Sequence, residues 1–156
     1  MTDQNDILKL MALDEEGLSI ISANCQDAVL RLDDIGYVPK ARRFALMINR
    51  FDWEQAYSED KSRQLRRRRA ALRFECVNNA RHINFTSKKK DHVLKLLALK
   101  FEQGDAPSGV LSLIFSGESE IRLEVECIEV NLEDLGAIWE TKSLPDHHIE
   151  DQETLS

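Results

Sequence analysis

Along most of the chain apolar and polar residues alternate with a period of two, the signature of strands that bury one face. In "RFALMINR" Phe44, Leu46 and Ile48 point one way, and Arg43, Ala45, Met47 and Asn49 the other. Ala28, Leu30 and Leu32 alternate likewise with Val29 and Arg31, and Ala70, Leu72, Phe74 and Cys76 with Ala71, Arg73 and Glu75. "VLKLLALKF" carries Leu97, Leu99 and Phe101 on one phase, "VLSLIF" carries Leu111, Leu113 and Phe115, and "IRLEVECIEV" carries Ile121, Leu123, Val125 and Cys127. The pattern predicts a single core that includes Phe44, Leu46, Leu72, Phe74, Leu97, Leu99, Leu113, Leu123 and Val125. Turn chemistry separates these runs: "GYVPKAR" suggests a hairpin, and "GDAPSG" and "SGES" reverse the chain again.

Two segments break the alternation. After a short apolar strand over Ile7–Leu13, Asp14 is placed to cap a helix in which Leu18, Ile21 and Cys25 share one face. A second helix is predicted from Asn131 as N-cap, with Asp134 in its first turn and Leu132, Leu135, Ile138 and Trp139 as its apolar stripe. Six to eight antiparallel strands with one early helix and a C-terminal capping helix make an α+β domain, a strongly curved sheet or partly open barrel. By fold-level analogy a pleckstrin-homology-like architecture fits the same order, and a fold does not fix a function. One domain is expected over residues 1–145, with "SEDKSR" (Ser58–Arg63) as a solvated insertion and residues 146–156 as a disordered acidic tail.

The chain has 156 residues, enough to bury a core without metal or disulfide. No apolar run approaches the roughly 20 residues that cross a bilayer. The start "MTDQNDILKL" is acidic where a secretory signal is basic, so a cytoplasmic location is expected. The three cysteines are too far apart in sequence for a metal finger and are expected to be reduced, with Cys76 and Cys127 as small buried hydrophobes. A net charge of −7 argues against broad affinity for nucleic acid or anionic lipid, because both need positive potential over a wide surface.

Against that background "RQLRRRRAALRFECV" places six arginines in eleven residues. Arg66 and Arg68 continue the phase of Leu72 and Phe74, whereas Arg67 and Arg69 continue that of Arg73 and Glu75, so both faces are basic and are expected to be accessible. One reading pairs these arginines with nearby carboxylates within the protein. A second joins Arg63, Arg66, Arg67, Arg68 and Arg69 with Lys88, Lys89 and Lys90 in a patch for an acidic protein partner or a phosphate-bearing ligand. A third, contact with nucleic acid, is disfavoured because the rest of the surface is negative and repels a phosphate backbone.

Other chemistry is sparse. The glycines form neither a P-loop nor a dinucleotide fingerprint. His147 and His148 alone make a weak metal site, and Glu124, Glu126 and Glu129 are explained more simply as an exposed strand face than as an acid/base or metal cluster. Trp53 is a possible partner anchor, with packing over the barrel mouth as its alternative. No catalytic residue, metal or cofactor is expected, and a binding or adaptor role is favoured over an enzyme with a small-molecule pocket at the barrel mouth.

The phrases "GYVPKARRFALMINRFDWE", "RRRRAALRFECV", "APSGVLSLIFSG" and "IRLEVECIEVNLEDLG" together resemble Domain-of-Unknown-Function family 2948 of alphaproteobacteria, over Leu8 to Trp139. The resemblance implies a bacterial cytoplasmic protein and carries no catalytic residues. Cys25 stands where the resemblance leads one to expect leucine, which implies a packing role for that thiol.

Overall fold

The alternating segments fold into one antiparallel sheet, of ten strands among the described residues. The computed structural model describes residues 7–51, 66–85 and 91–140. In chain order the elements are β1 (Lys9–Ala12), α1 (Glu15–Cys25), β2 (Ala28–Arg31), β3 (Ile35–Val38), β4 (Arg43–Phe51), β5 (Arg66–Phe74), β6 (Val77–Ile83), β7 (Val93–Gln103), β8 (Gly109–Phe115), β9 (Glu120–Val125) and β10 (Val130–Glu140). Neighbours in the sheet run β1, β10, β5, β4, β2, β7, β8, β9, β6.

β4 pairs with β5 along one edge. Its other edge is shared between β3, opposite Arg43–Leu46, and β2, opposite Asn49. The sheet curls, because β6 lies five places from β4 in the strand order and yet Val77 N donates to Arg42 O at 2.9 Å. Closure stops there. Among the described residues β3 pairs only with β4 and β6 only with β9, which leaves an open seam between them.

The helix forms where the pattern placed it. Asp14 Oδ1 accepts from Gly17 N at 2.8 Å, and Leu18, Ile21 and Cys25 are buried. From the same helix Ser22 Oγ accepts the Leu99 amide at 3.0 Å, which ties α1 to β7 just past a bulge between Leu96 and Ala98. That bulge corrects one core residue. An extra residue in a strand reverses the phase beyond it, so Leu94, Leu96 and Leu99 are buried while Leu97 is 38% exposed. The other eight residues expected in the core are buried.

The predicted C-terminal helix is a larger correction: Val130–Glu140 is strand β10. Its first half pairs with β1 on one side and β5 on the other, and Val130, Leu132 and Asp134 alternate inward. Leu135, assigned to an apolar helical stripe, is 48% exposed. Between Asp134 and Ile138 the register shifts at Gly136, whose φ of +90° suits glycine. "NLEDLG" thus mimics a helix start but encodes a strand with a bulge. Among the described residues no helix follows β9, so they do not supply the capping helix on which the pleckstrin-homology-like analogy rests. No helix among the described residues is long and apolar enough to cross a membrane.

Candidate functional site

Where β5 leaves the apolar core its arginines turn into the protein. Arg68 keeps the inward phase of Ala70 and Leu72 and is 3% exposed, which corrects the expectation that both faces of the run are accessible. Arg67 lies with its guanidinium 3.8 Å over the ring of Phe51, its cross-strand neighbour, and donates to Asn49 O at 3.0 Å. Desolvation lowers the Arg67 pKa from its ordinary value. Arg69 Nη1 reaches Asn49 Oδ1 at 3.4 Å, and its Nη2 is 3.8 Å from Asp34. Arg63, Trp53, Lys88, Lys89 and Lys90 lie outside the described residues, as does the side chain of Arg66.

Beside these arginines is an ion pair that sequence reasoning missed. Arg50 Nε donates to Asp134 Oδ1 and Arg50 Nη2 to Asp134 Oδ2, each at 2.9 Å, with both side chains at most 1% exposed. Asp134 Oδ2 also accepts the Leu8 amide at 2.9 Å, so one carboxylate joins β4, β10 and the segment leading into β1. The available signal was the inward phase of Arg50 after Ile48.

Next to this pair, burial pushes the Cys25 thiol up to about 12, opposed by Arg50 and reinforced by Asp134. The neutral thiol belongs to the folded state. As pH rises from the ordinary thiol value of 9.0 toward 12, unfolded chains release a proton that folded chains keep, and stability falls. Urea midpoints measured across this range should fall less steeply for Cys25→Ala than for wild type. Equal slopes would remove Cys25 from the account.

Cys76 and Cys127 also depart from expectation. Neither is in a strand: Cys76 is in the turn between β5 and β6 with φ +60°, and Cys127 follows β9. Both are half-buried, because the inward positions beside them are taken by Val77 and Val125.

The open seam holds a cavity of about 330 Å³. Its apolar wall comes from Leu32, Ile35, Tyr37 and Phe44 on one side and Ala80, Phe85 and Ile121 on the other, with Arg81 and His82 completing the lining. Tyr37 packs against Phe44 with ring centroids 6.0 Å apart and planes tilted by 47°, and Phe85 sits edge-on between His82 and Phe115. Arg81 and His82 are exposed, and Arg81 puts a positive charge at the mouth of an apolar cleft. Sequence reasoning missed β6 because "VNNARHI" carries few apolar residues. It is an edge strand with one paired side, and its best signal was the spacing of Val77, Ala80 and Phe85.

No curated protein and no solved structure gives a significant match to this chain. A family model matches residues 8–147, and the chain belongs to that family, described as "Protein of unknown function (DUF2948)".

Proposed function

We propose that this chain is a non-enzymatic binding module of the bacterial cytoplasm, and that its contact site is the cleft between β3 and β6. Its ligand is a small amphipathic anion, with an apolar body in the cleft and an anionic group at Arg81. The observation that carries this reading is the lining: seven largely apolar side chains with Arg81 and His82 beside them. The volume lies at the lower end of the roughly 300–1,000 Å³ typical of ligand sites, where apolar walls with a few polar groups are the rule. Two further features support binding over catalysis. The lining contains no carboxylate, serine or cysteine to work with His82. Arg81 has no ion-pair partner among the described residues, so its charge is available to a ligand. In this reading the phosphate-bearing or acidic contact expected of the arginine run moves to Arg81, while Arg67, Arg68 and Arg69 serve the architecture.

The test compares two fluorescent probes with similar ring systems, the anion anilinonaphthalenesulfonate and the neutral phenylnaphthylamine. Wild type should bind the anion more tightly by about tenfold, the value of one charge-assisted hydrogen bond. Arg81→Gln should erase that preference, and Ala80→Phe, which fills the cleft, should weaken both probes. Anion preference that survives Arg81→Gln but disappears on Arg69→Gln would return the site to the arginine run.

A further inference from the structure

Away from the cleft, two turns are held side by side by main-chain hydrogen bonds, Glu75 N to Glu129 O at 2.9 Å and Glu126 N to Cys76 O at 3.0 Å. They bring together Cys76, which links β5 to β6, and Cys127 and Glu129, which link β9 to β10. The two Sγ atoms and one carboxylate oxygen of Glu129 all lie within 4.8 Å of one another. Backbone pairing sets this spacing. Cys76 also holds a left-handed φ of +60°, where a side chain costs about 1–2 kcal/mol and glycine costs nothing.

We propose that Cys76, Cys127 and Glu129 form a binding site for a thiophilic divalent cation, with zinc the ion that fits best. Two thiolates and a carboxylate match the softness and tetrahedral preference of zinc, and three protein ligands leave the fourth position to water. Magnesium and calcium are disfavoured because they require oxygen ligands throughout. Cys76 Sγ now directs its proton to Glu129 Oε1 at 3.7 Å, and the cation takes that proton's place. Binding releases the protons of both thiols, so affinity rises with pH. The ligands then carry three negative charges against two on the ion. Arg42, paired with Glu126 at 2.8 Å and near enough to interact electrostatically with both thiols, offsets part of the excess.

Titrating the reduced, full-length protein with cobalt(II) as a spectroscopic stand-in tests the site. One equivalent should produce a thiolate-to-cobalt charge-transfer band and visible bands of tetrahedral intensity, and zinc should bleach both. Cys76→Ser and Cys127→Ser should each weaken zinc binding by at least about tenfold, Glu129→Gln should weaken it while retaining the charge-transfer band, and His147→Ala should change nothing. A second readout needs no variant: zinc should protect Cys76 and Cys127 of wild type from alkylation, measured by peptide mass. Absence of the charge-transfer band, its survival in both serine variants, or unprotected thiols at saturating zinc would overturn the proposal.

Discussion

Replacing Asp134 with alanine is expected to cost about 3–5 kcal/mol, because a buried guanidinium loses its carboxylate partner without regaining water. The side chains of Arg50 and Asp134 are at most 1% exposed, and the carboxylate also receives the Leu8 amide, so the substitution loosens three segments together. Small domains have only about 5–15 kcal/mol of stability in total. Asp134→Ala should therefore unfold at much lower urea than wild type. The double variant Arg50→Met/Asp134→Leu removes both charges and should recover most of the loss, since buried pairs are often replaceable by apolar residues of similar size. Additive losses in the double variant would show that the two residues act independently.

Phe74→Ala is expected to cost a similar amount, about 3–5 kcal/mol, through lost burial and the cavity left behind. Phe74 is fully buried on β5, paired across the sheet with Phe44 on β4 and Val130 on β10. Its ring meets that of Phe44 edge-on at 6.3 Å. Phe44 in turn forms part of the cleft wall. Stability and probe affinity should fall together in Phe74→Ala, and Phe74→Leu should retain more of both. Unchanged affinity in a strongly destabilised Phe74→Ala would separate the cleft from the core behind it.

These two residues illustrate what was legible before the structure. Simple alternation places Phe74 in the core, with its neighbours on β4, β8 and β9, because the inward face of the curved sheet is apolar along these stretches. Alternation fails where the backbone inserts a residue, and nothing in the identity of Leu97 announces the bulge that exposes it. Asp134 reads as part of a helix for a different reason. "NLEDLG" contains an N-cap residue, a carboxylate three positions on and a helix-compatible leucine spacing, all satisfied locally. The need for Asp134 to meet Arg50 is non-local, since the two are separated by 84 positions, and no local propensity encodes it.

The candidate site was less legible still. The arginine run drew attention through its composition, yet a guanidinium can be spent inside a protein, as Arg67 is against Phe51. The cleft is built from residues that are individually unremarkable: a turn leucine, two hairpin residues and a polar edge strand. They meet only because the sheet curls until the β6 end approaches β3. The thiol site arises from the same topology, which brings two sequence-distant turns together at the ends of β5 and β9.

The claim at the centre of this account is that ligand contact belongs to the seam and not to the arginine strand. An amide-resolved NMR titration of the full-length protein with anilinonaphthalenesulfonate tests it most directly, because each amide reports its own surroundings. The account predicts saturable shifts concentrated at Ile35, Tyr37, Ala80, Arg81 and His82, with Arg67, Arg68 and Arg69 left in place. Shifts confined to Arg67–Arg69, or no saturable shift at the seam, would contradict it.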